Sequence, residues 1–401
     1  MSERARPSFT TRPDLLRGLV SRRAALIGMG GAGLAALLAA CGGSGNDAAQ
    51  SSDYVDMSDV EKVVNWSNWP EYIDVTDDGL TSPTLQEFTR TTGITAHYTE
   101  DYYDNEGFFT KVQPQLAVGQ DCGRDTWCAT DWMVARLKRL GYLQELDKDN
   151  IPNAKNLESS LENVEFDPGR TYSLPWQSGF TGIGYNPKST GGKAVESVDQ
   201  LLTDPSLKGK VTLLTELQDT MGLVMLDMGI DPAKFSDADF DRALARIAQA
   251  KASGQLKGFT GNDYTAGLLS GEIAACFAYT GDVVQLQVED PNLGYALPKK
   301  GHVIWSDNFV IPIRARHKKN AERLINFYYE PRVMAAVEDW VNYISPVHGS
   351  RQVLIKSDPD IAKNILIFPT RDVMARAHVF RGLTAAEEAR YTKDFQQVTG
   401  G

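Results

Sequence analysis

The stretch Val63-Val-Asn-Trp-Ser-Asn-Trp-Pro-Glu-Tyr-Ile73 is the most informative indication of the fold in the sequence. Val63, Val64 and Trp66 are β-formers, so residues 63–66 predict a strand, and the polar turn after them carries Trp69, Glu71 and Tyr72. From this point short apolar runs alternate with segments of helical periodicity, which is typical of an α/β domain. The chain has 401 residues, too many for one compact core, so we expect two domains.

The individual elements follow from the same periodicity. Strands are predicted at residues 63–66, 94–99, 126–129, 211–214 and 273–279, and helices at residues 80–92, 107–118, 237–252, 321–328 and 333–341. In α/β sheets, ligands lie beyond the carboxyl ends of the strands. The loops at those ends contain aromatic and acidic residues: Trp66, Trp69, Glu71 and Tyr72; Tyr102, Tyr103 and Asp104; Asp131 and Trp132; Glu216 and Asp219; Tyr279 and Asp282; Trp305 and Asp307.

This pairing of aromatic and acidic side chains suits a small organic cation. An aromatic face attracts a cation by about 0.5–2 kcal/mol when water is excluded, and a carboxylate binds an ammonium group through charge-assisted hydrogen bonds. The methylene groups of a polyamine would lie against flat apolar walls. The alternative is structural, because Trp and Tyr commonly pack in cores, and Asp219 and Asp282 precede apparent helices as N-caps do.

Nine segments resemble the bacterial spermidine/putrescine-binding proteins, the solute-binding components of polyamine ABC transporters. They are residues 65–73 (NWSNWPEYI), 87–94 (EFTRTTGI), 102–106 (YYDNE), 172–176 (YSLPW), 182–186 (GIGYN), 207–211 (LKGKV), 305–312 (WSDNFVIP), 321–327 (AERLINF) and 343–346 (YISP). The resemblance implies a type II periplasmic-binding-protein-like α/β fold with two lobes joined by crossover strands. It places lobe I at residues 61–175 and 301–345 and lobe II at residues 176–300, with a C-terminal helical segment at residues 346–401 that packs on the lobes.

The resemblance also implies a polyamine site between the lobes, with no catalytic residue, cofactor or metal. Its ligand-binding residues would be Trp69, Glu71, Tyr72, Tyr102, Glu216, Asp219, Phe259, Tyr279, Asp282, Trp305 and Asp307. The implied partners of this monomer are an ABC permease and its ATPase. Two departures, Pro70 and Thr220, leave open whether the ligand is putrescine, spermidine or another organic cation.

The first 40 residues differ in charge from the rest of the chain. They carry a net +4 within a total of −11, and an acidic remainder argues against nucleic-acid binding. Arg22 and Arg23 precede an uncharged apolar run, so residues 1–40 resemble a twin-arginine export signal, although general secretion stays open. The run ends in Leu38-Ala-Ala-Cys41, which resembles a lipobox. We expect lipidated Cys41 and the polar linker 41–60 to anchor the protein outside the cell membrane; the alternative is a plain signal peptide.

Other functional classes fit less well. The five histidines are scattered, and the chain has neither an H-E-x-x-H nor a G-x-S-x-G motif, which argues against a hydrolase. An anion-binding protein would need basic residues at the cleft, where only Lys111 or Arg136 are available. Cys122 and Cys128 flank a short turn that permits a disulfide, but their pairing stays open, whereas Cys276 is expected to be a buried strand thiol.

Overall fold

The computed structural model describes residues 54–76, 79–102 and 104–400. The strands are β1 (Val63–Asn68), β2 (Thr95–Glu100), β3 (Thr126–Thr130), β4 (Ser173–Tyr185), β5 (Val211–Leu214), β6 (Leu256–Thr260), β7 (Ala275–Tyr279), β8 (Gly294–Ala296), β9 (His302–Val310) and β10 (Ala377–His378). The helices are α1 (Pro83–Thr92), α2 (Asn105–Ala117), α3 (Asp131–Arg139), α4 (Val198–Thr203), α5 (Leu217–Asp227), α6 (Asp237–Ala252), α7 (Tyr264–Ser270), α8 (Thr280–Glu289), α9 (Lys318–Tyr328), α10 (Pro331–Val341), α11 (Ser350–Ser357), α12 (Pro359–Lys363), α13 (Arg371–Met374) and α14 (Ala385–Thr399).

Two long strands in the middle of the sheet connect its two halves. The strand order is β2-β1-β3-β9-β4-β7-β5-β6, with β10 beside β9 and β8 beside β4. Strands β4 and β9 pair antiparallel over most of their length, from Ser173 opposite Val310 to Thr181 opposite Val303. Strand β9 also pairs with β3, and β4 also pairs with β7. One half of the sheet therefore continues from β9 through β3, and the other half continues from β4 through β7.

Separate hydrophobic cores lie on the two halves. The first core draws on residues 64–176 and 309–347, and its centre is a group of aromatic rings in which Trp66 contacts Trp176 and Tyr328 with ring centroids 5.2 and 5.5 Å apart. The second core draws on residues 183–303 together with Phe380, Tyr391 and Phe395. Burial of this apolar surface, at about 25 cal/mol per Å², is the main stabilising contribution to each half.

The α/β prediction is confirmed, with shifts at the ends of some elements. The helix expected at residues 80–92 begins at Pro83, because Ser82 caps it by accepting a hydrogen bond from the Leu85 N–H. The strand expected at 273–279 begins at Ala275. The crossover strands β4 and β9 were implied only by the resemblance, since β4 is buried along almost its whole length and shows no alternation of polar and apolar residues.

Several predictions concern residues 1–53, which lie outside the described part of the chain, as does Tyr103. They include the export signal, the lipobox at Cys41 and most of the linker. Within residues 54–76, 79–102 and 104–400, no helix has the length and apolarity that a bilayer crossing requires. Cys122, Cys128 and Cys276 are free thiols, and Cys276 is fully buried in β7, as predicted for that residue.

Candidate functional site

Asp307 lies on crossover strand β9, where its buried carboxylate accepts two hydroxyl hydrogen bonds. Tyr72, from the loop after β1, donates to Asp307 Oδ2 over 3.0 Å. Thr130, at the end of β3, donates to Asp307 Oδ1 over 2.8 Å. These contacts bring together the ends of β1 and β3 and one crossover strand, as the rule for strand ends predicts.

A second carboxylate, Asp219, comes from the other half. It lies in the first turn of α5 and accepts a hydrogen bond from the hydroxyl of Thr181 on β4. The Trp305 indole N–H donates to the same Thr181 hydroxyl over 3.1 Å. Asp219 is therefore connected through Thr181 to both crossover strands, β4 and β9.

Asp282 is the third buried carboxylate and has the most hydrogen-bond donors. Its oxygens accept from Tyr264 over 2.7 Å, from Tyr343 over 2.8 Å and from the Asn262 amide over 2.9 Å. It lies in the first turn of α8, directly after strand β7. Three donors compensate part of the loss of water around this carboxylate.

A row of aromatic rings connects the three carboxylates. Tyr343 lies with its ring centroid 5.5 Å from those of Tyr72 and Trp305, and Tyr279 lies 5.5 Å from Trp305 on the other side. The Tyr72 hydroxyl donates a hydrogen bond to Asp307, and the Tyr343 hydroxyl donates one to Asp282. Two rings of the row therefore contact carboxylates through their hydroxyl groups. The arrangement combines the flat apolar walls and the acidic groups that a polymethylene ammonium requires.

Glu216 adds a fourth acidic group at the N-terminus of α5. Its Oε1 accepts a hydrogen bond from the indole N–H of Trp132, on α3, over 2.9 Å. Trp132 belongs to the first half of the protein and Glu216 to the second. The contact therefore crosses between the two halves.

Burial raises the pKa of all four carboxyl groups. The pKa of Glu216 is raised to about 8, with the neighbouring charge of Asp219 adding to the effect of burial. The pKa of Asp307 is raised to about 7 and that of Asp219 to about 6, in both cases because the charged form loses its water. The pKa of Asp282 is raised for the same reason, although its three donors oppose the shift.

These four carboxylates lack a basic partner in the described part of the chain. Its ion pairs lie elsewhere, and none joins Lys, Arg or His to Glu216, Asp219, Asp282 or Asp307. The described residues likewise contain no group of three or more His, Cys, Asp and Glu side chains placed to hold a metal ion. A buried carboxylate without a counter-charge costs several kcal/mol, so the site is suited to a cation from outside the chain.

The other residues expected at the site lie at its edge or apart from it. Tyr102 packs against Trp69 with ring centroids 4.5 Å apart, and its hydroxyl donates to Asn105, whose amide reaches Thr130. Glu71 has a φ of +57° and donates its N–H to Glu100 on β2. Phe259 packs against the second core and lies under the Lys251 ammonium. Ligand contact by these residues stays a prediction.

The structure adds residues to the site and removes one interpretation. Tyr343, Tyr264, Thr181 and Thr130 were not among the expected site residues, although YISP at 343–346 was part of the resemblance. The N-cap interpretation of Asp219 and Asp282 is wrong. Both follow the cap position, which is Glu216 in α5 and Tyr279 in α8, and their side chains bind hydroxyl groups instead.

Comparisons with known proteins identify the family of the chain. A model of the bacterial extracellular solute-binding protein family matches residues 84–369, well over half of the chain. The spermidine/putrescine-binding periplasmic protein 1 of Haemophilus influenzae is 27% identical over 307 residues, which cover 77% of this chain and 81% of that protein. The putrescine-binding periplasmic protein SpuD of Pseudomonas aeruginosa is 26% identical over 346 residues, or 81% and 90% of the two chains.

A solved structure shows that the fold is shared as well. The putative spermidine/putrescine ABC transporter from Listeria monocytogenes superimposes with a TM-score of 0.73 at 24% identity, covering 84% of this chain and 99% of that one. The type II periplasmic-binding-protein-like fold implied by the resemblance is therefore confirmed.

Proposed function

This chain belongs to the bacterial extracellular solute-binding proteins, and we propose that it captures a polyamine, putrescine or spermidine, and delivers it to an ABC importer. The observation that carries the proposal is the set of buried carboxylates, Asp219, Asp282 and Asp307, which have no basic partner among the described residues and lie along a row of aromatic rings. The function requires no chemical step, because capture and release are changes of binding and conformation alone.

The chemistry of the site favours a ligand with two or more ammonium groups. Each ammonium offers three donors and a full charge, and a carboxylate accepts such hydrogen bonds more strongly than neutral ones. Micromolar affinity corresponds to about −8.2 kcal/mol. Two enclosed ammonium–carboxylate contacts and aromatic contacts of about 0.5–2 kcal/mol each reach this value after ordering costs.

The ligand would bind between the two halves and bring them together. Tyr72 belongs to the first half and Asp219 and Asp282 to the second, while Asp307 lies on a crossover strand. Without a cation the ionised acids repel one another, which favours separation of the halves. With a cation that repulsion becomes attraction, so the ligand shifts the equilibrium towards the closed form.

The two lobes would be lobe I at residues 61–175 and 301–345 and lobe II at residues 176–300. Two separate hydrophobic cores support a division into two lobes, although Trp176 packs in the first core and Val303 in the second. The segment 346–401 would pack on the lobes. The protein would work as a monomer outside the membrane, anchored by lipid on Cys41, with a permease and an ATPase as its partners. The relatives named above are themselves periplasmic proteins, which supports the extracytoplasmic location.

The test is calorimetric titration of residues 42–401 with putrescine, spermidine and spermine, with glycine betaine as a control for a single quaternary ammonium. We expect micromolar or tighter binding of at least one polyamine. Asp219→Asn and Asp282→Asn should each weaken it strongly, whereas Asp360→Asn, which removes an exposed acid of α12, should not. Parental affinity in both site variants would contradict the assignment.

The alternative is a protein of the same fold for a different small organic cation or another solute. Glycine betaine binding without polyamine binding would favour a different cation. No heat with any of the four ligands would leave the family assignment in place and move the ligand elsewhere, with Pro70 and Thr220 the first positions to examine.

A further inference from the structure

The C-terminal helix α14 is built into the second half of the protein. Its Tyr391 ring stacks on Phe240 of α6 with centroids 3.9 Å apart, and Tyr391 and Phe395 are part of the second core. Arg390 forms ion pairs with Asp237 and Asp241 of α6. Helix α14 therefore moves with the second half. It also lies beyond residues 84–369, the part of the chain that matches the family model.

One residue of this helix reaches the other half. Glu388 Oε1 accepts from Arg136 Nε over 2.7 Å, and Glu388 Oε2 accepts from Arg139 Nη2 over 2.6 Å. Arg139 also donates to the backbone carbonyl of Leu383, just before α14, over 3.1 Å. Both arginines lie on α3, which packs in the first half through Met133, Val134 and Leu137. Two guanidinium groups from one half therefore hold a single carboxylate from the other.

The pair is better shielded than an ordinary surface ion pair. The side chains of Arg136 and Glu388 are only 12% and 15% exposed. Arg136 is held in place on its other side by Glu106, and the Glu106 and Glu388 carboxylates raise its pKa. A charge-assisted contact with fixed geometry and little solvent around it is stronger than an exposed ion pair, which contributes little to stability.

The same arginine adjoins the candidate site. The Arg136 guanidinium lies over the Trp132 ring, 5.0 Å from its centroid, and the Trp132 N–H binds Glu216. A chain of direct contacts thus leads from Glu388 through Arg136 and Trp132 to a carboxylate of the site. Separation of the halves would break the Arg136–Glu388 ion pair at one end of this chain of contacts and the Trp132–Glu216 hydrogen bond at the other.

We propose that α14 holds the two halves together through a latch, which is the pair of ion pairs that Glu388 of α14 forms with Arg136 and Arg139 of α3. The latch adds to the closing effect of ligand and slows reopening, so it sets how long a captured solute is retained. The latch is a feature additional to the proposed polyamine capture. Only its kinetic test depends on that proposal.

The first test needs no ligand. Small-angle X-ray scattering of the empty full-length mature protein compares the parent with Glu388→Gln and Arg139→Gln at low and high salt. Both variants should have a larger radius of gyration than the parent at low and at high salt, because the shielded ion pairs of the parent are only weakly screened by salt. Asp394→Asn is the matched control and should follow the parent, because it removes an acid of the same helix that, among the described residues, forms an ion pair with Arg390 alone. Equal radii for all four proteins at both salt concentrations would overturn the latch.

The second test measures release. If a polyamine binds, its dissociation rate from Glu388→Gln should rise about tenfold, because the ion pairs that hold the two halves together around the ligand are lost. The double variant Glu388→Gln/Arg139→Gln should dissociate at about the rate of Glu388→Gln, since that change alone already removes the Arg139–Glu388 ion pair. Parental dissociation rates in both single variants would overturn the proposal. Absence of polyamine binding would contradict only the proposed ligand and leave the scattering result to decide on the latch.

Discussion

The phenolic hydroxyl of Tyr72 donates a hydrogen bond of 3.0 Å to Asp307 Oδ2, which ties the loop after the first strand to a crossover strand 235 residues later. The bond has a second consequence, because a donor at this oxygen stabilises the ionised carboxylate and opposes the increase in pKa caused by burial. The hydroxyl therefore both shapes the site and keeps Asp307 available as an anion.

Tyr72→Phe is expected to weaken polyamine binding about tenfold at pH 7. The variant keeps the ring beside Tyr343 but removes one of the two hydroxyl donors to Asp307, and a hydrogen bond to a charged group contributes about 1.5–3 kcal/mol. The pKa of Asp307 should rise above about 7, so part of the loss should be recovered at pH 8.5. Titration calorimetry at both pH values measures this, with Tyr329→Phe, whose hydroxyl binds the Pro175 carbonyl in the first core, as the control. An equal loss at both pH values would contradict the role assigned to the hydroxyl.

Polyamine affinity should increase from pH 5.5 to pH 8. The ligand keeps its charge in this range, since alkylammonium groups titrate near pH 10. The site does not, because the pKa values of Asp219, Asp307 and Glu216 are raised to about 6, 7 and 8, so acidification neutralises the groups that bind the cation. Binding below pH 7 should therefore release protons, which titrations in buffers of different ionisation enthalpy detect. A dissociation constant that is independent of pH over this range would be incompatible with buried carboxylates as the ligand-binding groups.

Much of the site could be predicted because its residues follow strands. Asp219 follows β5 by five residues, Tyr279 is the last residue of β7 and Asp282 follows it by three, and the apolar strands themselves are visible in the sequence. Where strand ends share one edge of a sheet, the side chains after them lie close together even though they are far apart in the chain. The family resemblance then supplied the two-lobed fold and the crossover strands, which local patterns did not indicate.

The rest depended on contacts that no local pattern encodes. Tyr343 follows helix α10 and not a strand, whereas Tyr264 begins the short helix α7 four residues after β6, where the strand-end rule could have indicated it. Thr181 lies in the middle of the buried strand β4, where a threonine is common for structural reasons and does not by itself indicate a ligand site. Their roles arise because they face Asp282 and Asp219 across the fold. Whether an acid in the first turn of a helix caps it or turns inward is likewise decided by such distant donors.

Cys41→Ser should release the protein from the membrane. If the Leu38-Ala-Ala-Cys41 segment is a lipobox, the thiol carries the lipid, and several acyl chains at about 0.8 kcal/mol per buried CH₂ hold the protein firmly. The parent expressed in a bacterium should incorporate labelled palmitate and fractionate with membranes, whereas the variant should do neither. Cys122→Ser is the control and should remain anchored. Palmitate labelling of the Cys41→Ser variant would rule out this anchor.

Asp219→Asn should make the empty protein more stable at pH 8 while nearly abolishing polyamine binding. The pKa of Asp219 is raised to about 6 in the folded protein from 3.8, so the folded state binds a proton more tightly than the unfolded state. The stability linked to this proton is present below pH 4 and is lost as the pH rises through 6, by roughly 2–3 kcal/mol. Asparagine carries no charge and avoids that loss. Urea unfolding at pH 5 and pH 8 should therefore show a gain for the variant that is larger at pH 8, with Asp360→Asn as the exposed control. Destabilisation at pH 8 would mean that Asp219 holds the fold together, and its unpartnered charge would no longer be explained by a ligand.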